Sequence, residues 1–248
     1  EAGYLNKSLV ASNYVVVFSY VLYLLGKDAY KVQPIELRKV ITRWIFMTTV
    51  TSFYSNSPES TVERQLADLR SIKSASDFVE YLNQTIKQKM NDSYFNVELI
   101  NDLTSSAASS PVWYGYIASI NVLGTPMLFS NTPLSKYWVL GSDGMKKAID
   151  KHHIFPKQHL ADIGIPDDRD RNQLANFTYL DYNTNIDISD DAPSLYVGRY
   201  KAKLGDEGYA KACAENALPE GFEGLDYFEF LEKRRALMSG IIKKAYEK

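Results

Sequence analysis

The 248-residue chain is long enough for one large domain or two small ones, and its 45% hydrophobic residues can form a sizeable core. Its net charge of −2 lacks the overall basic character that is typical of free-standing nucleic-acid-binding proteins. The single cysteine, Cys213, excludes an internal disulfide and any zinc module built on two or more cysteines, and fits a reducing, cytoplasmic compartment.

The N-terminal segment predicts an apolar helix. Ser12 and Asn13 are candidate N-caps, the helix runs to Leu25, and Gly26 is placed to end it in a left-handed conformation. The apolar stretch from Tyr14 is shorter than the ~20 residues needed to cross a bilayer, and its apolar residues surround the helix. We therefore expect a central, buried helix and no membrane partner.

The following residues predict a bundle of amphipathic helices. Pro34 fits the first position of a second helix, which runs to about Phe53 and carries Trp44 as a core residue. Two further helices follow, the second capped by Ser76 or Asp77, and Pro111 opens another apolar helix. Pro- and Gly-containing turns then place a loose boundary between Pro133 and Gly144.

The most informative stretch lies beyond this boundary and contains all three histidines of the chain, His152, His153 and His159. Neighbouring side chains of a strand point to opposite faces, so one imidazole of the pair can bind a metal ion while the other accepts a proton. Two asparagines follow, Asn176 and Asn185, with the apolar residues Phe177 and Leu180 between them.

This His-His, Asn, Asn order with its spacing resembles the HNH, or ββα-metal, endonucleases. A narrower resemblance is to the C-terminal nuclease region of GmrSD-type modification-dependent restriction enzymes and related phage-defence proteins. It rests on His152-His153-Ile154-Phe155-Pro156-Lys157 and on Arg43-Trp44-Ile45-Phe46-Met47, Tyr54-Ser55-Asn56-Ser57-Pro58-Glu59-Ser60, Asn172-Gln173-Leu174-Ala175-Asn176 and Ala192-Pro193-Ser194-Leu195-Tyr196.

The resemblance implies a role for each residue of the motif. It implies that His152 and Asn185 bind the metal ion, that His153 is the general base and that Asn176 orients this base. Two protein ligands leave positions open for water and phosphate oxygens, an arrangement that suits Mg²⁺ or Mn²⁺. Asp150 either orients His152 or is a solvated carboxylate at the end of the strand.

Three cations are candidate contacts to the DNA backbone, and the alternative for each is a solvated surface position. They are Lys157, Arg199 and Lys201. Between Lys136 and Lys203 the sequence has ten Lys or Arg and ten Asp residues, so a DNA-binding face must come from the arrangement of charges.

The expected elements of this region are two strands and a helix. They are a strand over 149–155, a long insertion over 157–171, a strand over 177–180 and a metal-site helix from Asn183 to about Ser189, ended by Ala192 and Pro193. A helix around 209–216 and a terminal one over 226–246 should pack back on the bundle.

The sequence thus predicts a mainly α protein, a helical bundle with an embedded small ββα-metal module. The expected division is a helical domain over 1–140, the nuclease module over 141–198 and C-terminal helices over 199–248. By resemblance, the chain is a metal-dependent DNA endonuclease or nickase, the effector part of a prokaryotic phage-defence protein.

The expected partners are DNA, a second copy of the chain where both strands are cut, and an N-terminal NTPase or sensor domain. The Asp-Gly-Gln-Gln-Arg motif of that domain does not occur in these 248 residues, and a first residue other than Met suggests a fragment. One alternative is a catalytically inactive helical DNA-docking or protein-interaction domain with structural histidines. Another is a nuclease acting on RNA, because the site chemistry does not distinguish the sugar.

Overall fold

The fold is mainly helical with one small two-stranded antiparallel sheet, as the sequence predicted at this level. The computed structural model describes residues 1–107, 109–139 and 149–248. The first seven helices are α1 (Asn13–Leu24), α2 (Pro34–Val50), α3 (Pro58–Ser71), α4 (Ala75–Lys89), α5 (Leu99–Asp102), α6 (Pro111–Leu123) and α7 (Ser135–Val139). Strand β1 (Ile149–His153), helices α8 (Lys157–Asp162) and α9 (Asp168–Arg171), strand β2 (Phe177–Asp181), and helices α10 (Tyr182–Ile188), α11 (Pro193–Glu215) and α12 (Tyr227–Glu247) follow.

The starts of the helices follow from local chemistry. Proline opens α2 at Pro34 and α6 at Pro111, where its missing N–H costs no helical hydrogen bond. The predicted cap of α1 is confirmed, because the Ser12 hydroxyl accepts a hydrogen bond from the Tyr14 N–H. The cap of α4 is Ser74, which accepts from the Asp77 N–H, so the prediction of Ser76 or Asp77 was wrong by two or three residues.

Helix α1 is not the buried helix that its apolar residues predicted. Val15 and Leu22 pack inward, whereas Val16, Val17 and Tyr20 are 56%, 55% and 60% exposed. The helix packs along α2 and presents its other side to solvent. A helix that is apolar on all sides can be buried, but each side is buried only where another element packs against it.

Gly26 also departs from its predicted role. It does not take a positive φ, and the chain continues from α1 into a π-helical turn over Leu25–Ala29. A Cβ at this position would lie 2.4 Å from Cδ1 of Leu37 and 3.0 Å from Cε1 of Phe78. Glycine therefore occupies this position because α2 and α4 pack too closely to leave room for a side chain.

One continuous core joins the three segments that the sequence separated. Trp44 of α2 is fully buried in it, as predicted. The Trp113 ring of α6 contacts Phe177 of β2, with ring centroids 6.2 Å apart. The rings of Phe155 and Phe230 of α12 lie 4.7 Å apart. The hairpin is thus packed between the helical bundle and the terminal helix.

Gly115 gives a stability test of this packing. We expect Gly115→Ala to destabilise the fold by about 1–3 kcal/mol, because the new Cβ would lie 2.5 Å from Cγ2 and 3.0 Å from Cβ of the stiff Val50 side chain. Gly240→Ala is the matched control, since no atom lies within 4 Å of its Cβ and alanine favours α12 by about 0.5–1 kcal/mol. Urea denaturation should show opposite signs; equal shifts of both variants would contradict this packing.

The C-terminal third contains more helix than the sequence predicted. Instead of one helix over 209–216, α11 starts at Pro193 and is broken at Gly205, which adopts φ +72° and ψ 164°. Helix α12 starts after the Asp226 cap, within one residue of the prediction. The predicted division between the helical domain and the nuclease module, at residues 140 and 141, and Gly144 lie outside the described residues. Within the described ranges, no helix has both the length and the apolar character needed to cross a membrane.

Candidate active site

The predicted histidine pair lies on a β-hairpin that is followed directly by a helix. Strands β1 and β2 run antiparallel, with His153 opposite Phe177 and Ile149 opposite Asp181. The Asp181 carboxylate then caps α10 by accepting from the Thr184 N–H at 2.9 Å, so the helix begins at the next residue. The two strands and α10 occupy the predicted positions to within two residues, and α10 packs against both strands.

Strand alternation separates the side chains of β1 into two faces. Asp150 and His152 face α10, where both reach Asn185. Lys151 and His153 face the other way and contact the ring of Phe177. The adjacent imidazoles therefore occupy different environments, as the sequence predicted for a strand.

Asp150, Asn185 and His152 form a chain of hydrogen bonds. Nδ2 of Asn185 donates to Oδ2 of Asp150 at 3.2 Å, and its Oδ1 accepts from Nδ1 of His152 at 2.8 Å. His152 thus carries its proton on Nδ1. Its Nε2 is buried and has no hydrogen-bond partner among the described residues. A buried, unpartnered imidazole nitrogen with a free lone pair is suited to bind a metal ion.

These hydrogen bonds change the roles predicted for Asp150 and Asn185. Asp150 orients Asn185 instead of contacting His152 directly, which also decides against a merely solvated carboxylate. The oxygen of Asn185 is bonded to Nδ1 of His152, on the side of the ring away from the free Nε2, so a cation at Nε2 would not contact it in this arrangement. Across residues 1–107, 109–139 and 149–248, no three His, Cys, Asp or Glu side chains converge as a metal site.

His153 is oriented by Asn172 and not by the predicted Asn176. Oδ1 of Asn172 accepts from Nε2 of His153 at 3.0 Å, and the imidazole packs on Phe177 with ring centroids 4.3 Å apart. With its proton on Nε2, His153 has Nδ1 left to accept one. Burial lowers the pKa of His153 below 6.5, opposed by the bond to Asn172, so the ring is neutral at pH 7.

The Asn176 amide is wholly used by the backbone. Its Oδ1 accepts from the Phe155 N–H at 2.9 Å, and its Nδ2 donates to the carbonyls of Phe155 and Arg171, both at 3.0 Å. Asn176 therefore holds the two ends of the insertion together. The predicted contact with His153 was wrong because these buried backbone groups take all of its hydrogen bonds.

The insertion is what brings Asn172 to His153. It contains α8 and α9, joined by a turn at Gly164, and returns the chain to the base of the hairpin. His159 lies within this insertion, with its ring centroid 6.3 Å from that of Phe155, and does not line the cleft described next. The interpretation of His159 as a residue without a direct role is consistent with that position.

Both imidazoles open onto a cleft of about 460 Å³. Its lining includes Lys151, His152, His153, Lys157, Asn185 and Asp190. Burial also lowers the pKa of His152, so both imidazoles are neutral at pH 7. Each of the two rings that line the cleft therefore keeps one nitrogen without a hydrogen bond to the described residues, the buried Nε2 of His152 and Nδ1 of His153.

The predicted DNA contacts are divided between this cleft and the surface beyond it. Lys157 lines the cleft and pairs with Asp168 at 3.4 Å. Arg199 pairs with Asp191 at 2.8 Å, and Lys201 with Asp206 at 3.5 Å; neither cation lines the cleft. Exposed pairs of this kind contribute about 0–1 kcal/mol, so these side chains remain able to exchange partners.

Lys151 is a site residue that the sequence did not reveal. Its Nζ lies 3.8 Å from the ring centroid of Phe177 and 4.9 Å from that of Trp113. Burial lowers its pKa to about 8, which leaves the ammonium largely protonated at pH 7. Trp113 is far from the motif in the chain, so no local pattern predicted this contact.

The terminal helix supports the hairpin from behind. The guanidinium of Arg234 is fully buried and donates to the carbonyl of Ala175 at 2.6 Å. The Tyr196 hydroxyl of α11 donates to the carbonyl of Ile154 at 2.8 Å. The first bond fixes the backbone next to Asn176, and the second fixes the backbone next to His153. The C-terminal helices therefore hold the site in place.

No protein-family model, curated protein or solved structure matches this chain.

Proposed function

We propose that this chain is a metal-dependent endonuclease or nickase that hydrolyses phosphodiester bonds of DNA. The observation that carries the proposal is the pair of adjacent imidazoles with different free nitrogens at one cleft, Nε2 of His152 and Nδ1 of His153. The order of two strands and a helix supports the proposal, because the resemblance implies the same order.

The side chains on the α10 face fit a divalent cation. His152 would hold Mg²⁺ or Mn²⁺ through its buried Nε2, which has no hydrogen-bond partner among the described residues. Asn185, whose Oδ1 is bonded to Nδ1 on the other side of the ring, would join as the second ligand only after the imidazole gives up that bond and turns. When bound, the cation supplies positive charge at the scissile phosphate and the leaving oxygen. Asp150 keeps Asn185 directed at His152, and Asn185 fixes the tautomer of that imidazole.

The side chains on the opposite face fit the base. His153 takes a proton from the attacking water at Nδ1, while Asn172 holds Nε2–H and Phe177 supports the ring. Water would reach this nitrogen through the cleft that His153 lines. Lys157 at its edge, and Arg199 and Lys201 beyond it, are the proposed backbone contacts, each exchanging an aspartate for a phosphate.

A cytoplasmic phage-defence role, as effector of a larger protein with an NTPase or sensor domain, rests on the sequence resemblance alone. One such site cuts one strand at a time. A double-strand break therefore needs a homodimer or two successive nicks.

The exposed face of α1 favours a second candidate, a catalytically inactive protein-interaction domain. Val16, Val17 and Tyr20 form an uncovered apolar stripe, of the kind found at protein interfaces. This candidate needs no metal at His152 and no base at His153.

Plasmid cleavage tests the proposed function. With Mg²⁺ or Mn²⁺, supercoiled plasmid should become relaxed and then linear, and EDTA should abolish the reaction because the cation supplies the positive charge at the leaving oxygen. Cleavage that persists in EDTA would contradict a metal-dependent mechanism. Absence of cleavage with either metal, on unmodified, modified and phage DNA, would favour the interaction domain.

The pH dependence tests the roles of His153 and Asn172. His153 acts as a neutral base, and burial lowers its pKa. The cleavage rate should therefore stay constant near pH 7 and fall as the pH decreases, with a midpoint below 6.5. Asn172→Ala removes the hydrogen bond that raises this pKa. We expect the midpoint to move lower still and the plateau rate to fall about 10–100-fold. An unchanged profile would argue against Asn172 as the orienting residue.

A further inference from the structure

The ammonium group of Lys151 is held in place by aromatic rings at the edge of the cleft. Its Nζ lies over Phe177 of β2 and near Trp113 of α6, at 3.8 and 4.9 Å from the ring centroids. An ammonium over an aromatic face is stabilised electrostatically and loses freedom to swing. The position of this charge is therefore set by the fold.

Lys151 and His153 share one face of β1, and the ammonium and the imidazole that we assign as base both pack against the Phe177 ring. Both residues line the cleft. Among the residues that the structure describes, no carboxylate forms an ion pair with Lys151, and burial is the cause that shifts its pKa. Lys157, by contrast, is paired with Asp168.

A water molecule within reach of His153 and in line with a phosphorus atom places phosphate oxygens a few ångströms from the base. A cation near the base attracts those oxygens strongly, because its surroundings are partly desolvated. An ammonium that the fold already holds in place also needs no reorganisation during the reaction. Lysine suits this task as a compact point charge.

We propose that Lys151 binds a non-bridging oxygen of the scissile phosphodiester, with Trp113 of the helical segment as the fixed wall behind it. That the contacted phosphodiester is the one cleaved rests on the proposed nuclease function. The contact between Lys151 and a DNA phosphate is expected even without catalysis. The helical bundle then forms part of the active site and is more than a support for the hairpin.

DNA binding without metal tests this contact independently of cleavage. The affinity of the full chain for a duplex oligonucleotide is measured in EDTA over a range of salt concentrations. Lys151→Met keeps the length of the side chain and removes the charge, and the slope of log K against log salt should become shallower by about 0.9, the loss of one phosphate contact. Lys151→Arg should retain the slope of the wild type.

Lys211→Met is the matched control. Lys211 is 74% exposed, pairs with Glu215 at 3.9 Å and does not line the cleft. This variant should retain the wild-type slope, and circular dichroism with thermal unfolding should show that all variants fold. An unchanged slope in Lys151→Met, or no DNA binding by the wild type, would overturn the proposal.

Cleavage distinguishes this proposal from the proposed function. If the wild type cleaves, Lys151→Met should lower kcat about 10²-fold, as for removal of one transition-state donor, and Lys151→Arg should recover part of it. If the wild type does not cleave but Lys151→Met still loses the phosphate contact, the nuclease function fails and the phosphate site stands. Equal kcat for wild type and Lys151→Met would overturn contact with the scissile phosphate.

Discussion

His153→Ala is expected to lower the rate of metal-dependent plasmid cleavage by about 10²–10⁴-fold, the usual contribution of a general base. The loss should occur without unfolding, because the His153 imidazole is only half-buried and, among the described residues, makes one side-chain hydrogen bond, to Asn172. The measurement is the initial rate of nicking of supercoiled plasmid with saturating Mg²⁺ or Mn²⁺.

His159→Ala is the control for this variant. His159 is the remaining histidine of the chain outside the pair, lies on α8 and does not line the cleft. Its loss should change the rate by less than about threefold, which is under ~1 kcal/mol of barrier. Equal losses in both variants would show that the assignment of His153 as base is wrong.

Asn176→Ala is expected to destabilise the fold by about 3–5 kcal/mol. Asn176 has no exposed surface, and its removal leaves the Phe155 N–H and the carbonyls of Phe155 and Arg171 without the partners they have now. Urea denaturation followed by circular dichroism measures the effect. Cleavage should fall with the folded fraction, because the insertion that carries Asn172 loses its anchor.

Asn172→Ala provides a comparison with the same change of side chain. Asn172 is half-buried and its amide oxygen contacts a half-buried ring, so we expect less than about 1 kcal/mol of destabilisation. The two asparagines therefore separate stability from catalysis. Similar unfolding free energies for both variants would contradict the structural role assigned to Asn176.

The hairpin and its helix were predictable because their signals are local. The apolar residues Ile154 and Phe155 after β1, the apolar residues of β2 and the capping Asp181 each act within a few residues of the chain. The pair His152 and His153 was found for the same reason, since opposite faces follow from strand geometry alone.

The contacts that orient the histidines were not predictable in the same way. Asn172 reaches His153 only through the path of the insertion, whereas the motif pointed to Asn176, four residues further along the chain. Their roles are decided by which amide meets buried backbone and which meets the imidazole. Sequence spacing contains no information on that choice.

Burial on one side of an element was the least predictable feature. Tyr20 of α1 and Lys151 of β1 illustrate the two opposite cases. The apolar helix was expected in the core and lies at the surface, because few elements pack against it. The lysine is half-buried because Trp113, remote in sequence, covers it, and charge alone predicts the opposite.

Paramagnetic NMR with Mn²⁺ tests the central claim, a divalent cation at His152 beside the base His153, most directly. The chain has three histidines, so selective ¹⁵N labelling leaves three imidazoles to follow. Mn²⁺ titrated into the labelled protein should broaden the signals of His152 first, those of His153 next and those of His159 least. Asn185→Ala should weaken Mn²⁺ binding about 10–100-fold. Broadening that begins at His159, or Mn²⁺ that leaves all three imidazoles unchanged, would contradict the account.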